Sequence, residues 1–158
     1  MRRSDREITD MEEIIEIIEK CDICRLALFD SEYPYIVPLN FGYSVKEDKI
    51  ELFFHGAGVG KKINLIKQNN HVFFEMDCSH KLIIDEKACK YTMEYESVMG
   101  KGIIEIVSNE EKRDALIKIM KHYSQANEFN FDEEAIDFVT VFKLSVNQIT
   151  GKRLKRSK

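Results

Sequence analysis

The sequence predicts a mainly β fold with peripheral helices, closing as a small barrel. Three observations carry this expectation. Short apolar segments with strand character dominate the 158 residues, several of them alternating with period two. The helical patterns fall among them in the order helix, three strands, helix, strand, long strand, helix, strand, which lacks the regular alternation of a doubly wound sheet. Many short strands with few helices to cover them are best accommodated by a sheet that closes on its own edges. The length fits one domain spanning 1–158, with no internal repeat and no linker.

Thr9-x-x-Glu12 reads as a capping box, with Asp10 as a second candidate cap. Met11, Ile14, Ile15 and Ile18 then recur at helical spacing, predicting an amphipathic helix over 10–21. Cys24 to Phe29 reads as a strand, and Tyr35 to Val45 as a longer one in which Pro38 marks an edge, bulge or bend. Ile50, Leu52 and Phe54 alternate with Glu51, Phe53 and His55 in a third strand. Residues 58–69 carry Val59, Ile63 and Ile66 on one helical face, and His71 to Met76 is a short apolar strand. The polar stretch 78–90 reads as a loop. Tyr91 to Val107 is a long strand in which Gly100 and Gly102 suggest a bend or a close approach. Ser108-x-x-Glu111 is a further capping box, ahead of a helix with Leu116, Ile119, Met120 and Tyr123 on its face. Phe138, Phe142, Leu144 and Val146 share one face of a last strand, and 152–158 is a basic tail.

Composition narrows the function classes. A formal net charge of −4 argues against a nucleic-acid binder, which needs a basic surface to displace counterions. The longest charge-free stretch, Tyr33 to Val45, is too short and polar to span a bilayer. The charged N-terminus has no apolar signal core, so the expectation is a cytoplasmic protein with reduced thiols. Cys21-Asp-Ile-Cys24 is a C-x-x-C pair, which raises zinc or redox chemistry. Cys78 and Cys89 are not a second close pair, and the motif follows a helical pattern where a thioredoxin-like thiol would precede one. The expectation is therefore no metal.

His55-Gly56-Ala57-Gly58-Val59-Gly60-Lys61-Lys62 is the most informative stretch. It places three glycines and two lysines between a strand and a helix. Backbone N–H groups at a helix start attract anions, glycine lets a phosphate come close, and lysine adds a point charge. The spacing matches neither a P-loop nor G-x-G-x-x-G, and a solvated strand-to-helix turn stands as the alternative. Around Pro38, backbone groups near Leu39 and Asn40 could pair with the polar edge of a flat heterocycle. The stretch Glu94 to Gly102, with Ser97 and Val98, could line a ligand or mark a solvent face and a bend. Among the histidines, His55 has the best claim to function because it adjoins the glycine turn. His71 reads as structural, and His80 and His122 as solvated.

Taken together, these segments resemble the 5-nitroimidazole antibiotic resistance proteins, within the pyridoxamine 5′-phosphate oxidase-like FMN-binding split barrels. The resemblance runs from Arg2-Arg3-x-Asp5-Arg6-Glu7-Ile8 through Cys24-Arg25-Leu26-Ala27 and Tyr35-Ile36-Val37-Pro38-Leu39-Asn40-Phe41. It continues through Phe54-His55-Gly56-Ala57, Gly60-Lys61-Lys62, Tyr95-Glu96-Ser97-Val98-x-Gly100-Lys101-Gly102 and Ile149-Thr150-Gly151-Lys152. It implies a six-stranded split barrel and a homodimer with FMN between the subunits. By that likeness, Val37, Pro38, Leu39 and Asn40 lie along the flavin ring through their backbone. His55, Ala57, Gly60, Lys61 and Lys62 surround the ribityl phosphate end, and Ser97 and Val98 line the pocket. His55 also matches a histidine placed near the reactive site in the nitroimidazole-resistance branch. Pyridoxamine phosphate oxidases carry basic residues on the strand matching 37–41 and arginines for the substrate phosphate. This chain shows neither, so pyridoxamine phosphate oxidation is not expected.

The expected function is an FMN-dependent oxidoreductase taking electrons from a reduced nicotinamide and passing them to a small electrophile such as a nitroaromatic compound. The redox chemistry belongs to the cofactor, and the protein positions it. The rival readings are a non-catalytic flavin-binding or sensing module and a zinc or redox protein built on Cys21 and Cys24.

Overall fold

The computed structural model describes residues 3–155. Its strands are β1 (Glu7–Ile8), β2 (Cys24–Leu28), β3 (Tyr35–Leu39), β4 (Gly42–Lys46), β5 (Lys49–Ala57), β6 (His71–Ile83), β7 (Thr92–Ile106) and β8 (Val139–Leu154). Its helices are α1 (Met11–Lys20), α2 (Lys61–Gln68), α3 (Asn109–Tyr123) and α4 (Glu133–Phe138).

The strands form one antiparallel sheet in the order β3-β2-β6-β7-β8-β5-β4, with β1 on β8. The two ends of that order, β3 and β4, are consecutive in the chain, with only Asn40 and Phe41 between them. The sheet must therefore curl until its ends approach, yet no ladder joins them. This is a split barrel, and its strand count differs from the six expected. The run 35–45 divides into β3 and β4, and the two-residue β1 adds another.

The C-terminal end of α3 holds the seam. Tyr123 donates its hydroxyl to the Asp22 carbonyl at 2.7 Å and accepts the Phe41 N–H at 2.9 Å. The His122 ring sits 4.3 Å from Phe41, centroid to centroid, with Nε2 2.7 Å from the Cys21 carbonyl. The helix comes this close because residue 42 is glycine: a Cβ there would overlap the Lys118–Ile119 backbone. His122 is thus a seam residue and not a solvated one.

Inside the barrel, Leu26, Leu52, Phe54, Phe74, Met76, Val98, Phe142 and Leu144 meet Ile14, Ile17 and Ile18 of α1 and Ile63, Leu65 and Ile66 of α2. Each fully buried phenylalanine contributes about 2–3 kcal/mol. A second cluster, of Phe53, Val107, Ala115, Leu116, Ile119, Ile136 and Val141, lies under α3 and α4.

Local signals hold where expected, with adjustments. Asp10, not Thr9, caps α1, accepting the Glu13 N–H at 3.0 Å. The Ser108/Glu111 capping box forms at the start of α3. The helix expected over 58–69 begins only at Lys61, because Gly58–Gly60 make the turn. The expected 78–90 loop is largely strand, since β6 continues to Ile83 through a bulge between Cys78 and Lys81. Polar side chains there did not interrupt pairing, because the ladder uses backbone groups alone. The last strand begins after Phe138, which ends α4, and runs to Leu154. The first three residues of the expected basic tail, Lys152 to Leu154, are therefore paired strand, and residues 156–158 lie outside the described residues.

Candidate functional site

The glycine turn between β5 and α2 is built as a positive, uncapped helix start. Gly60 has φ of +123°, a conformation open to glycine and strained for other residues. As the N-cap of α2 it offers no side chain, so the first N–H groups receive no side-chain cap. Lys61 and Lys62 occupy the first helical positions, the end of the macrodipole that disfavours cations. Such an arrangement concentrates positive potential and suits an anionic ligand.

The two lysines differ. Lys61 Nζ lies 2.5 Å from Asp30 Oδ2 and 5.0 Å from the Tyr35 ring centroid. It is tied to the β2–β3 turn by Asp30, a residue that sequence reasoning had not singled out. Lys62 Nζ stands 5.4 Å from the Phe142 ring centroid, against the backbone of Gly56. No described carboxylate pairs with it, and burial presses its pKa below the ordinary lysine value. His55 projects from the outer face of β5, opposite Val141. Partial burial, and then the Lys62 ammonium, hold its imidazole below the usual histidine pKa.

β3 supplies a free strand edge. It stands at one end of the sheet order, so only one side of its backbone is paired with a described strand. Val37 and Leu39 turn inward and pack on the core, while Pro38 and Asn40 are exposed. The Asn40 amide donates to the Asp22 carbonyl at 3.2 Å, which fixes the end of the strand. Ala57 is exposed at the end of β5, opposite Val139.

Ser97 and Val98 lie elsewhere. Two strands, β2 and β6, separate β7 from β3, placing Ser97 about 14 Å away by inter-strand spacing. Ser97 faces outward, between Asp77 and Lys152. The Val98 side chain is fully buried in the core, so only its backbone could face a ligand. Within one chain the structure thus gathers His55, Ala57, Gly60, Lys61 and Lys62 at the glycine turn, next to Tyr35 of β3, and leaves Ser97 and Val98 apart. The missing cation on strand 37–41 has a neighbour: Arg25 of β2 stands opposite Pro38. Arg25 falls within the Cys24-Arg25-Leu26-Ala27 segment of the resemblance, but its place opposite Pro38 follows only from the strand register.

The C-x-x-C cysteines do not form a reactive pair. Cys21 and Cys24 are both buried, and burial pushes both thiols well above the ordinary range. A redox C-x-x-C needs the opposite shift. Among the described residues no three His, Cys, Asp or Glu side chains converge on a metal site. No helix among them is long and apolar enough to cross a membrane.

The family model described as pyridoxamine 5′-phosphate oxidase matches residues 10–153. The chain belongs to that family. A candidate 5-nitroimidazole antibiotic resistance protein from Bacteroides thetaiotaomicron is 38% identical, with 93% of this chain and 86% of that one covered at a TM-score of 0.80. That relationship places the chain in the nitroimidazole-resistance-like branch of the family. Two distant structures share the fold. The flavocytochrome Anf3 of Azotobacter vinelandii is 16% identical, with 99% and 72% of the two chains covered and a TM-score of 0.81. An FAD and heme binding protein of Mycobacterium smegmatis is 14% identical, with 96% and 74% covered and a TM-score of 0.81. No curated protein sequence matches the chain.

Proposed function

We propose that the protein binds FMN and acts as an oxidoreductase, passing electrons from a reduced nicotinamide nucleotide to small electrophiles of the nitroaromatic kind. One observation carries this reading: a partly desolvated Lys62 without an anionic partner, beside the uncapped start of α2. The turn fits a phosphate, and the free edge of β3 fits the polar rim of a flat heterocycle. Lys61 and Lys62 would hold the phosphate, Gly60 and Ala57 would let it approach, and the backbone from Val37 to Asn40 would orient the ring. Bound FMN would supply hydride transfer. His55, its pKa lowered by burial and then by the Lys62 ammonium, stands at the glycine turn as the candidate proton carrier or substrate contact. The descriptions of the Bacteroides relative and of the two flavin-binding fold neighbours agree with this direction.

The outer sheet face supports a homodimer with FMN between the subunits. Phe29, Ile36, Phe73 and Met99 are exposed there, and Ile36, Ala27 and Phe73 stand in one register row. Apolar patches of this kind mark association surfaces.

The visible absorbance spectrum of the purified protein, before and after added FMN, tests the proposal. Flavin bands retained through desalting are expected, followed by nicotinamide-dependent turnover of a nitroaromatic acceptor. Retention without turnover would leave a flavin-binding module. A protein that stays colourless after FMN addition would overturn the reading.

A further inference from the structure

The thiol that Cys21 meets belongs to β6 and not to its own C-x-x-C motif. Cys21 ends α1 and turns its N–H to the Ile18 carbonyl at 3.2 Å. Cys78 Sγ stands 4.0 Å from the Ile17 carbonyl, the acceptor that a regular α-helical turn would give to Cys21. The Cys78 sulfur is thus seated against the last turn of α1. Cys21 is 1% exposed and Cys78 is half-buried, and both pack on the core cluster with Ile17 and Ile18. The two thiols are within side-chain hydrogen-bonding range of each other, and the β6 carboxylates Asp77 and Glu75 act on Cys21 as well. Cys24 is fully buried in β2, where Glu75 and Arg25 are the groups acting on it.

The end of α1 also holds the barrel seam. The Cys21 carbonyl lies 2.7 Å from His122 Nε2. The next carbonyl, of Asp22, accepts from the Tyr123 hydroxyl at 2.7 Å and from the Asn40 amide at 3.2 Å. Tyr123 in turn accepts the Phe41 N–H at 2.9 Å. A bond from Cys21 to β6 would therefore steady the point where β3 gives way to β4. Cys78 sits at the start of the β6 bulge, beside Ser79, whose φ is +59° and whose Oγ lies 3.6 Å from Cys78 Sγ. Cys78 keeps part of its surface open, so a small oxidant meets it before it meets Cys21.

We propose that Cys21 and Cys78 form a reversible disulfide that latches the end of α1, and with it the barrel seam, to β6. The proposal stands apart from the flavin reading above. The oxidant is a peroxide. With hydrogen peroxide, the Cys78 sulfur attacks one oxygen, the O–O bond breaks, and Cys78 becomes a sulfenic acid as water leaves. The Cys21 sulfur then attacks the Cys78 sulfur, the S–O bond breaks, and a second water leaves as the S–S bond forms. The two thiols have given up two electrons and two protons, and one peroxide has become two waters. A small dithiol reverses the step by thiol–disulfide exchange. Burial makes the Cys21 thiol a weak acid and so a poor leaving group, which makes its release from the bridge slow.

The test uses the full-length protein, first reduced and then treated with hydrogen peroxide. Remaining thiols are alkylated under denaturing conditions, and the peptides are mapped by mass spectrometry. A cross-linked peptide joining Cys21 to Cys78 is expected, with Cys24 and Cys89 alkylated. Oxidation should raise the Tm by about 5–10 °C, and dithiothreitol should reverse the rise. The Phe41 amide, held by Tyr123 at the seam, should exchange about ten-fold more slowly in the oxidised protein. Cys78→Ser should lose both responses to peroxide, and the double variant Cys24→Ala, Cys89→Ser should keep them. If a cysteine variant fails to fold, the wild-type peptide map and Phe41 exchange decide by themselves. Cys21 bridged to Cys24, or Cys21 still alkylated after oxidation, would overturn the proposal. So would a Cys21–Cys78 cross-link that leaves the Tm and the Phe41 exchange rate unchanged.

Discussion

Glu96 and Lys62 are both charged groups drawn toward the interior, and the structure treats them in opposite ways. Glu96 is 8% exposed and accepts from Ser79 Oγ at 2.8 Å, Lys20 Nζ at 3.1 Å and Arg153 Nε at 2.6 Å. Arg153 also reaches Glu13 at 2.5 Å. Burial pushes the Glu96 pKa up, but the hydrogen bonds from Ser79, Lys20 and Arg153 outweigh it and hold the carboxylate below its ordinary value. The group is saturated, and it staples α1, β6, β7 and β8 together. Among the described residues Lys62 pairs with no carboxylate; the Phe142 ring, the Gly56 backbone and His55 lie beside it, and desolvation lowers its pKa. A satisfied buried charge organises a fold; an unpaired, partly desolvated one costs stability.

The largest expected effect separates the two directly. Glu96→Ala leaves Lys20 and Arg153 without their shared acceptor and should destabilise the protein by about 2–3 kcal/mol. Urea unfolding measures this, and the flavin spectrum should be unchanged. A loss of flavin with no loss of stability would reverse the assignments. Next, Lys62→Met should weaken FMN by roughly thirty-fold, about 2 kcal/mol, as read by fluorescence titration. Its Tm should hold or rise slightly, because a desolvated charge has been removed. A large drop in Tm would make Lys62 structural.

Acid titration gives a smaller effect of known sign. The folded Glu96 pKa is lowered, so the staple's contribution is fully present above the ordinary carboxylate range and is lost as pH falls through the folded value. Unfolding free energies measured from neutral to acid pH should therefore decline less steeply in Glu96→Gln than in the wild type. The smallest expected effect is local. In Lys62→Met the His55 imidazole should titrate at higher pH by NMR, since one of its two depressing influences is gone. An unmoved titration would show that burial alone depresses it.

How much was legible follows from the range of each interaction. The Ser108/Glu111 cap lies within four consecutive residues and was readable directly. The glycine–lysine turn was equally local, and its position between β5 and α2 holds. Asp30 opposite Lys61 was not readable, because the ion pair crosses from the β2–β3 turn to the start of α2. Nor was the break after Leu39, which arises where the chain leaves one end of the sheet and joins the other. His80 is exposed as expected, but its ion pair with Asp77 was not readable, because a one-residue bulge reverses side-chain direction without any mark in composition. Ser97 and Val98 entered together through the family resemblance, and strand alternation sends their two side chains to opposite faces.

The sequence by itself determined a mainly β domain, the Ser108/Glu111 cap, the family and the glycine–lysine turn between a strand and a helix. Each depends on residues near one another in the chain or on a pattern repeated along it. Only the tertiary structure decided which charges are neutralised. It settled that Lys61 is paired, that Lys62 has no carboxylate partner among the described residues, that Glu96 is saturated, and that Arg25 stands beside Pro38. It also decided that Cys21 meets Cys78 and not Cys24. The physical reason is that desolvation and pairing depend on distances set by strand order and register, which no local spacing encodes.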